Sequence, residues 1–251
     1  MAMMGGKSRG SLCDFYTTLR RYFCHHLLKS KTPITKLVLS YYAFIYERFG
    51  DKGILGREAT MSLKFRPKIE KIVELLLHLA SKRPGADKYQ AVKFFYFADR
   101  EHLNRFGRPI SFENYYAMSY GPVASTVLDL LNGNIGPAKS AGINELPFKT
   151  EIGKTKSGRD TTFIREPLRE VNYDLFSKSD IQVFDEVVEK YRDASFDELF
   201  KATHKHFAWT NAWTQRKHGE RAEMYYEEMI DDEARRAELV DDISPIAAHL
   251  K

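Results

Sequence analysis

The first sustained pattern of apolar and polar positions begins at Phe65. Ile69, Ile72, Val73, Leu76 and Ala80 recur at intervals of three and four, and Pro67 is placed for a first-turn proline. This spacing predicts an amphipathic helix that ends at Arg83-Pro84-Gly85. A second helix takes Asp87 as its cap and carries two adjacent rows. Ala91, Phe94, Phe95, Ala98 and His102 form one, and Val92, Tyr96, Asp99 and Leu103 the other, until Gly107 supplies a stop. So wide an apolar arc predicts a central, mostly buried helix. Arg108-Pro109-Ile110 turns the chain, residues 114–120 suit a short helix or strand, and Pro122 opens a helix with Val123, Val127, Leu130 and Leu131 facing inward.

Residues 133–142 read as a polar connection, and residues 148–152 and 160–164 as two strands of a hairpin with a longer loop. Ser179 with Gln182, and Ser195 with Glu198, have capping-box spacing and each starts a helix. Residues 204–213 read as helical, and the last thirty residues as a charged, mostly exposed terminal helix. The expected fold class is mainly α (α+β): a compact helical domain with a small β-hairpin, preceded by a poorly patterned N-terminal segment. The expected organisation is a basic segment over 1–60, a domain over 61–219 and a charged helix or tail over 220–251.

Length and charge sharpen this division. A chain of 251 residues accommodates one large domain or a domain with an appendage. No apolar run approaches the ~20 residues of a membrane span. The net charge of +5 is unevenly placed: residues 1–60 hold ten Lys/Arg against four Asp/Glu, whereas the remainder is close to neutral. The basic average therefore describes the N-terminal segment and is no argument for nucleic acid at the main body, because phosphate binding needs a clustered basic surface. Cys13 and Cys24 also lie in that segment, so the body can build neither a disulfide scaffold nor a thiolate nucleophile or metal site. A cytoplasmic protein fits this cysteine usage. Residues 1–60 lack the apolar run and cleavage site of a targeting peptide. Two readings stay open for them: a loosely ordered basic arm, or an over-extended gene start with translation beginning at Met61.

Few constellations carry chemistry. His204 and His206 would share a zinc only on a strand, since on a helix they point about 200° apart, and no HExxH or CxxC spacing supplies further ligands; no metal is expected. Trp209 and Trp213 stand at i and i+4, either as core or as an exposed ridge for a partner. Asp99, inside the most apolar helix, needs a partner such as Arg108 or a tyrosine hydroxyl; a structural pair and a general acid or base are the two readings. Neither GxGxxG, GxxxxGK[ST] nor GxSxG occurs, and no cofactor is expected. Lys154, Lys156 and Arg159 form a basic loop tip, either solvated or touching an acidic partner or nucleic acid.

One resemblance changes the picture. The segment from Val92 to Asp99, then Gly107-Arg108-Pro109-Ile110, Tyr116-Ala117-Met118 and Tyr120-Gly121-Pro122-Val123, resembles the Panacea antitoxin domain, which includes SocA-like antitoxins and phage-associated GepA-like proteins. Thr203-His204 and Trp209 are similar to that family's C-terminal half, so the likeness spans roughly residues 64–215. Phe94-Phe95 stand where the family often has two leucines, and the stretch from Gly136 to Gly142 matches no signature of it. The resemblance implies a binding protein that neutralises a cognate toxin encoded by a neighbouring gene, phage- or prophage-associated, with no catalytic residue carried over. On physical grounds Asp99, Gly107, Pro109, Tyr120, Gly121, Pro122, Val123 and His204 are expected to be scaffold, and Tyr96, Tyr115, Tyr116, Trp209 and Trp213 to be the contact surface. A nucleic-acid-binding regulator using the basic arm is the alternative from another class, and a His204/His206 hydrolase the third.

Overall fold

The computed structural model describes Leu63, residues 65–216 and residues 219–249; the readings of residues 1–60 lie outside the described residues. In chain order the elements are α1 (Ile69–Lys82), α2 (Lys88–Phe106), β1 (Tyr115–Met118), β2 (Gly121–Ala124), α3 (Ser125–Leu131), α4 (Gly136–Ser140), β3 (Phe148–Lys154) and β4 (Asp160–Pro167). They continue with a 3-10 turn at Tyr173–Leu175, α5 (Lys178–Lys190), α6 (Phe196–Thr203), α7 (Phe207–Gln215), β5 (Arg221–Glu223), a 3-10 turn at Tyr226–Met229 and α8 (Glu233–His249). The described residues are mainly helical, with two small antiparallel sheets in the orders β2-β1-β5 and β3-β4.

The centre is α2, as its double apolar row requires. Asp87 and Gln90 close a capping box at its start, and Gly107 ends it at φ 76°. Every residue from Ala91 to Asp99 is buried, including Lys93 and Asp99. Around α2 pack α5, α3, α6, β2 and β4, so one helix touches both halves of the chain. Aromatic contacts fill the space: Phe95 meets Phe184 edge-on at 5.5 Å, and Phe97 stacks on Tyr191 at 4.4 Å.

Several local expectations give way to longer-range contacts. Pro122 does not open a helix; it sits in β2 opposite Ala117, on an edge strand where a missing N–H costs no ladder bond, and α3 starts three residues later. The helix expected from Ser179 is instead capped by Ser177, whose hydroxyl accepts from the Asp180 N–H at 3.2 Å while Asp180 returns the bond. Asp180 is fixed there by Lys71 and Arg108 at 2.7 and 2.8 Å, and this selects the frame of the box. Residues 133–142 contain the short helix α4, and residues 204–206 are a turn between α6 and α7. The terminal exposed helix begins only at Glu233. Before it, β5 pairs with β1, and Met224, Tyr226, Met229 and Ile230 are buried in the core.

Gly121 shows how tightly the β1–β2 turn is seated. At φ 97°, an added Cβ would lie 2.7 Å from Thr203 Oγ1 and 3.0 Å from Lys93 Nζ, whereas at Gly133 (φ 84°) it would meet nothing within 4 Å. Gly133→Ala is therefore expected to cost about 1 kcal/mol of backbone strain, and Gly121→Ala at least about 2 kcal/mol from strain and overlap together. Urea unfolding of the two variants side by side measures the difference, and equal losses would contradict a close-packed turn.

Candidate interaction surface

Two buried carboxylates build the frame beneath the surface. Asp99 accepts five hydrogen bonds: from the Ile110 and Ser111 N–H groups at 2.9 and 2.8 Å, the Ser111 hydroxyl at 2.5 Å, and the Tyr115 and Tyr226 hydroxyls at 2.9 and 3.3 Å. The tyrosine hydroxyl expected from the sequence is there, but Arg108 is not, since it binds Asp180. Burial pushes the Asp99 carboxyl up, and the Ser111, Tyr115 and Ile110 donors pull the other way. With 1% exposure and every contact made by the protein itself, Asp99 has no access to a substrate. Glu113 is its neighbour through Tyr226, whose hydroxyl donates to the Glu113 carbonyl at 2.7 Å. The Glu113 carboxylate accepts from the Asn114 N–H, the Thr126 hydroxyl and the Val127 N–H, capping α3 from eleven or more residues away. Asp99 is thus tied wholly to the protein's own groups.

The β1–β2 turn rests on α2 and α6 through a small polar notch. Lys93 Nζ donates to the Pro122 carbonyl at 2.6 Å and lies 4.8 Å from the Tyr89 ring, and burial pushes its ammonium down to about 7. Beside it, the His204 ring nitrogens lie 2.7 Å from the Phe200 carbonyl and 3.3 Å from the Ser119 carbonyl. His206 points elsewhere, its Nδ1 3.1 Å from the Tyr96 hydroxyl, and burial lowers its ring to about 4. Among the described residues no three His, Cys, Asp or Glu side chains are grouped to hold a metal ion.

Over this notch runs a continuous ladder of rings. Tyr89 and Tyr120 contact Phe196 at 4.5 and 5.7 Å, and Phe196 stacks on Phe200 at 6.1 Å. Phe200 stacks on His204 at 3.6 Å, His204 meets Trp209 at 3.8 Å, and Trp209 stacks on Trp213 at 5.8 Å. Spacing explains it: Phe196 and Phe200 on α6 and His204, which caps its end, repeat at four, and Trp209 and Trp213 at four on α7, so the turn between the helices joins two stripes into one. Tyr120 is 58% exposed, and Tyr89, Phe196, Phe200, His204 and Trp213 are half-buried. Trp209 is nearly buried, its indole N–H donating to the Met118 carbonyl at 3.0 Å. Of the expected contact residues, Trp209 and Trp213 join the ladder and Tyr116 is half-buried on β1 under Arg221. Tyr96 and Tyr115 are core residues, at 0% and 2% exposure, Tyr96 because it lies on the buried stretch of α2 and Tyr115 because β1 turns its alternate face inward. Tyr120 and His204, expected as scaffold, instead carry rings of the ladder, while Gly121, Pro122 and Val123 stay with the strand. Phe196, Phe200 and Tyr89 were missed; the four-residue repeat through His204 was the signal for the two phenylalanines, and Tyr89 on α2 had none.

The comparison with protein families bears on the same region: the model described as Antitoxin SocA-like, Panacea domain matches residues 92–210. Residues 92–210 are thus similar to a SocA-like Panacea domain. No curated protein and no solved structure matches the chain. The Panacea match takes in most of α2, both sheet hairpins, α6 and the start of α7, and so contains the Asp99 elbow, the Gly121 notch and the ladder from Phe196 to Trp209. No described helix is long and apolar enough to cross a membrane.

Burial pushes the Glu113 carboxyl up to about 7, against the pull of Thr126 and the backbone donors. Its value in the unfolded chain is about 4.3. The folded value is the higher one, so the stabilisation is complete below about pH 4 and is lost as pH rises through about 7. The difference in unfolding free energy between wild type and Glu113→Gln is therefore expected to fall by about 3 kcal/mol between pH 4 and 8. Denaturant unfolding across that range checks the slope, and parallel curves for the two proteins would contradict a raised Glu113.

Proposed function

We propose that this protein is an antitoxin: a cytoplasmic, phage- or prophage-associated binding protein that neutralises a cognate toxin, encoded by a neighbouring gene, by direct protein–protein contact and without catalysis. The observation that carries this reading is the Panacea match over residues 92–210. The architecture supports it. The buried titratable groups of the elbow and notch are tied to one another or to the backbone, which suits a scaffold. The half-buried ladder offers the aromatic edges that dominate protein-binding hot spots.

The nucleic-acid reading receives little support from the described residues. In the loop expected to provide a basic tip, Lys154, Lys156 and Arg159 are all exposed, but Lys154 lies 3.5 Å from Asp160 and Arg159 lies 4.3 Å from the Phe196 ring, so two of the three already contact groups of the protein itself. The basic arm over residues 1–60 lies outside the described residues.

Co-expression of the full chain with the product of the adjacent open reading frame tests the proposal. The neighbour alone is expected to arrest growth, and the pair to grow normally and co-purify. A neighbour that is harmless alone, or toxic and not relieved, would overturn it.

A further inference from the structure

We propose that the aromatic ladder from Phe196 to Trp213 docks an acidic segment of the partner protein; this assignment rests on the antitoxin reading above. The argument is one of charge. Three guanidinium groups lie on the ladder and on the ring beside it: Arg159 over Phe196 at 4.3 Å, Arg216 over Trp213 at 3.7 Å and Arg221 over Tyr116 at 4.8 Å. Several arginines elsewhere hold carboxylates: Arg100 pairs with Asp231, Arg105 with Glu186, Arg169 with Glu74 and Arg192 with Glu189. None of the three ladder arginines takes part in an ion pair among the described residues. Lys201 and Lys205 add exposed positive charge on α6 and the turn after it. The acidic side chains on α6 are Asp197 and Glu198, and Glu198 is already held by the Ser195 N–H and hydroxyl at 2.7 Å each.

A guanidinium resting on a ring is restrained by it and keeps N–H donors for a carboxylate: among the described residues Arg159 gives only its Nε, to the Ser157 hydroxyl at 3.4 Å, and Arg216 one Nη1 bond, to the Trp213 carbonyl at 2.6 Å. The rings between the arginines contribute apolar edge. The same arrangement disfavours single-stranded nucleic acid, which binds by stacking bases on free ring faces. Here Phe200 stacks on His204, the His204 ring meets Trp209 at a tilt, and Arg159 and Arg216 lie over Phe196 and Trp213. A protein segment bearing carboxylates matches what is left.

The test uses the full chain and the purified product of the adjacent open reading frame, with affinity measured by calorimetry for wild type and three variants. These are Arg159→Glu/Arg216→Glu/Arg221→Glu, Trp213→Ala, and a control reversal on other faces, Lys139→Glu/Lys178→Glu/Lys190→Glu. Thermal melts verify that each variant is folded. The expected result is a loss of about tenfold or more for the ladder reversal and for Trp213→Ala, little change for the control, and weakening of wild-type binding by added salt. A neighbour that binds wild type and the ladder variants equally would overturn the docking surface and leave the antitoxin reading standing. A neighbour that does not bind wild type at all would remove the antitoxin reading, and this assignment with it. An oligothymidine probe provides the remaining arm: binding that the ladder reversal abolishes would assign the surface to nucleic acid and overturn the proposal.

Discussion

The carboxylate of Asp99 is the constraint on which the rest of this structure depends. A buried, unpartnered carboxylate costs several kcal/mol, so α2 can hold one at its centre only if the chain brings donors to it. Three separate stretches do so: residues 110–111 from the elbow after α2, Tyr115 from β1, and Tyr226 from the turn that follows β5. Each of those donors is itself buried, and without the carboxylate all but Tyr226, which also reaches the Glu113 carbonyl, would lose the partner they have here. The elbow carries strain that this grip offsets. Phe112, next to Ser111, stands at φ 56°, a left-handed conformation that costs a non-glycine residue of order 1 kcal/mol, and its ring is held edge-on against Phe65 at 5.2 Å.

From the elbow the consequences run outward. With Tyr115 tied to Asp99, β1 must face its odd positions inward, and β2 and β5 then pair on either side of it. The β1–β2 turn falls against α2 and α6, where Gly121 alone leaves room for Lys93 and Thr203. That contact fixes α6, and α6 presents Phe196, Phe200 and His204 in line with the tryptophans of α7. The surface is thus the outer end of a chain of contacts that starts at a buried charge.

How much of this the sequence disclosed depends on the range of the interaction involved. The central helix, its Asp87 cap, its Gly107 stop and the β3–β4 hairpin were legible, because period, capping and turn chemistry are local. The start of α3 was not. Its cap is Glu113, eleven residues or more upstream, and Ala124 at the local position offers no side-chain acceptor. Ser177 prevailed over Ser179 as a cap for a similar reason, since Lys71 and Arg108 hold Asp180 from other elements. At the surface, Trp209 and Trp213 were visible as a pair. Tyr96 and Tyr115 were misplaced because an aromatic beside a motif reads the same whether its strand or helix faces in or out, and only the Asp99 and His206 bonds decide that.

Charge inside and charge outside follow opposite rules here, and the contrast explains why a rigid frame suits a binding protein. Inside, Asp99, Glu113 and Lys93 are each satisfied by neighbours or backbone, which removes alternatives to the native packing. Outside, Arg159 and Arg216 are restrained by the rings they cover and by one bond each, to the Ser157 hydroxyl and the Trp213 carbonyl, and keep further N–H donors. Ordering such side chains before a partner arrives lowers the entropy lost on association, which is otherwise about 0.5–1.5 kcal/mol for each immobilised flexible side chain. A ladder seated on the Gly121 notch holds that order only as well as the notch does. The buried carboxylate, the turn glycine and the exposed arginines are therefore parts of one mechanical unit, whose inner members set the geometry that the outer ones offer.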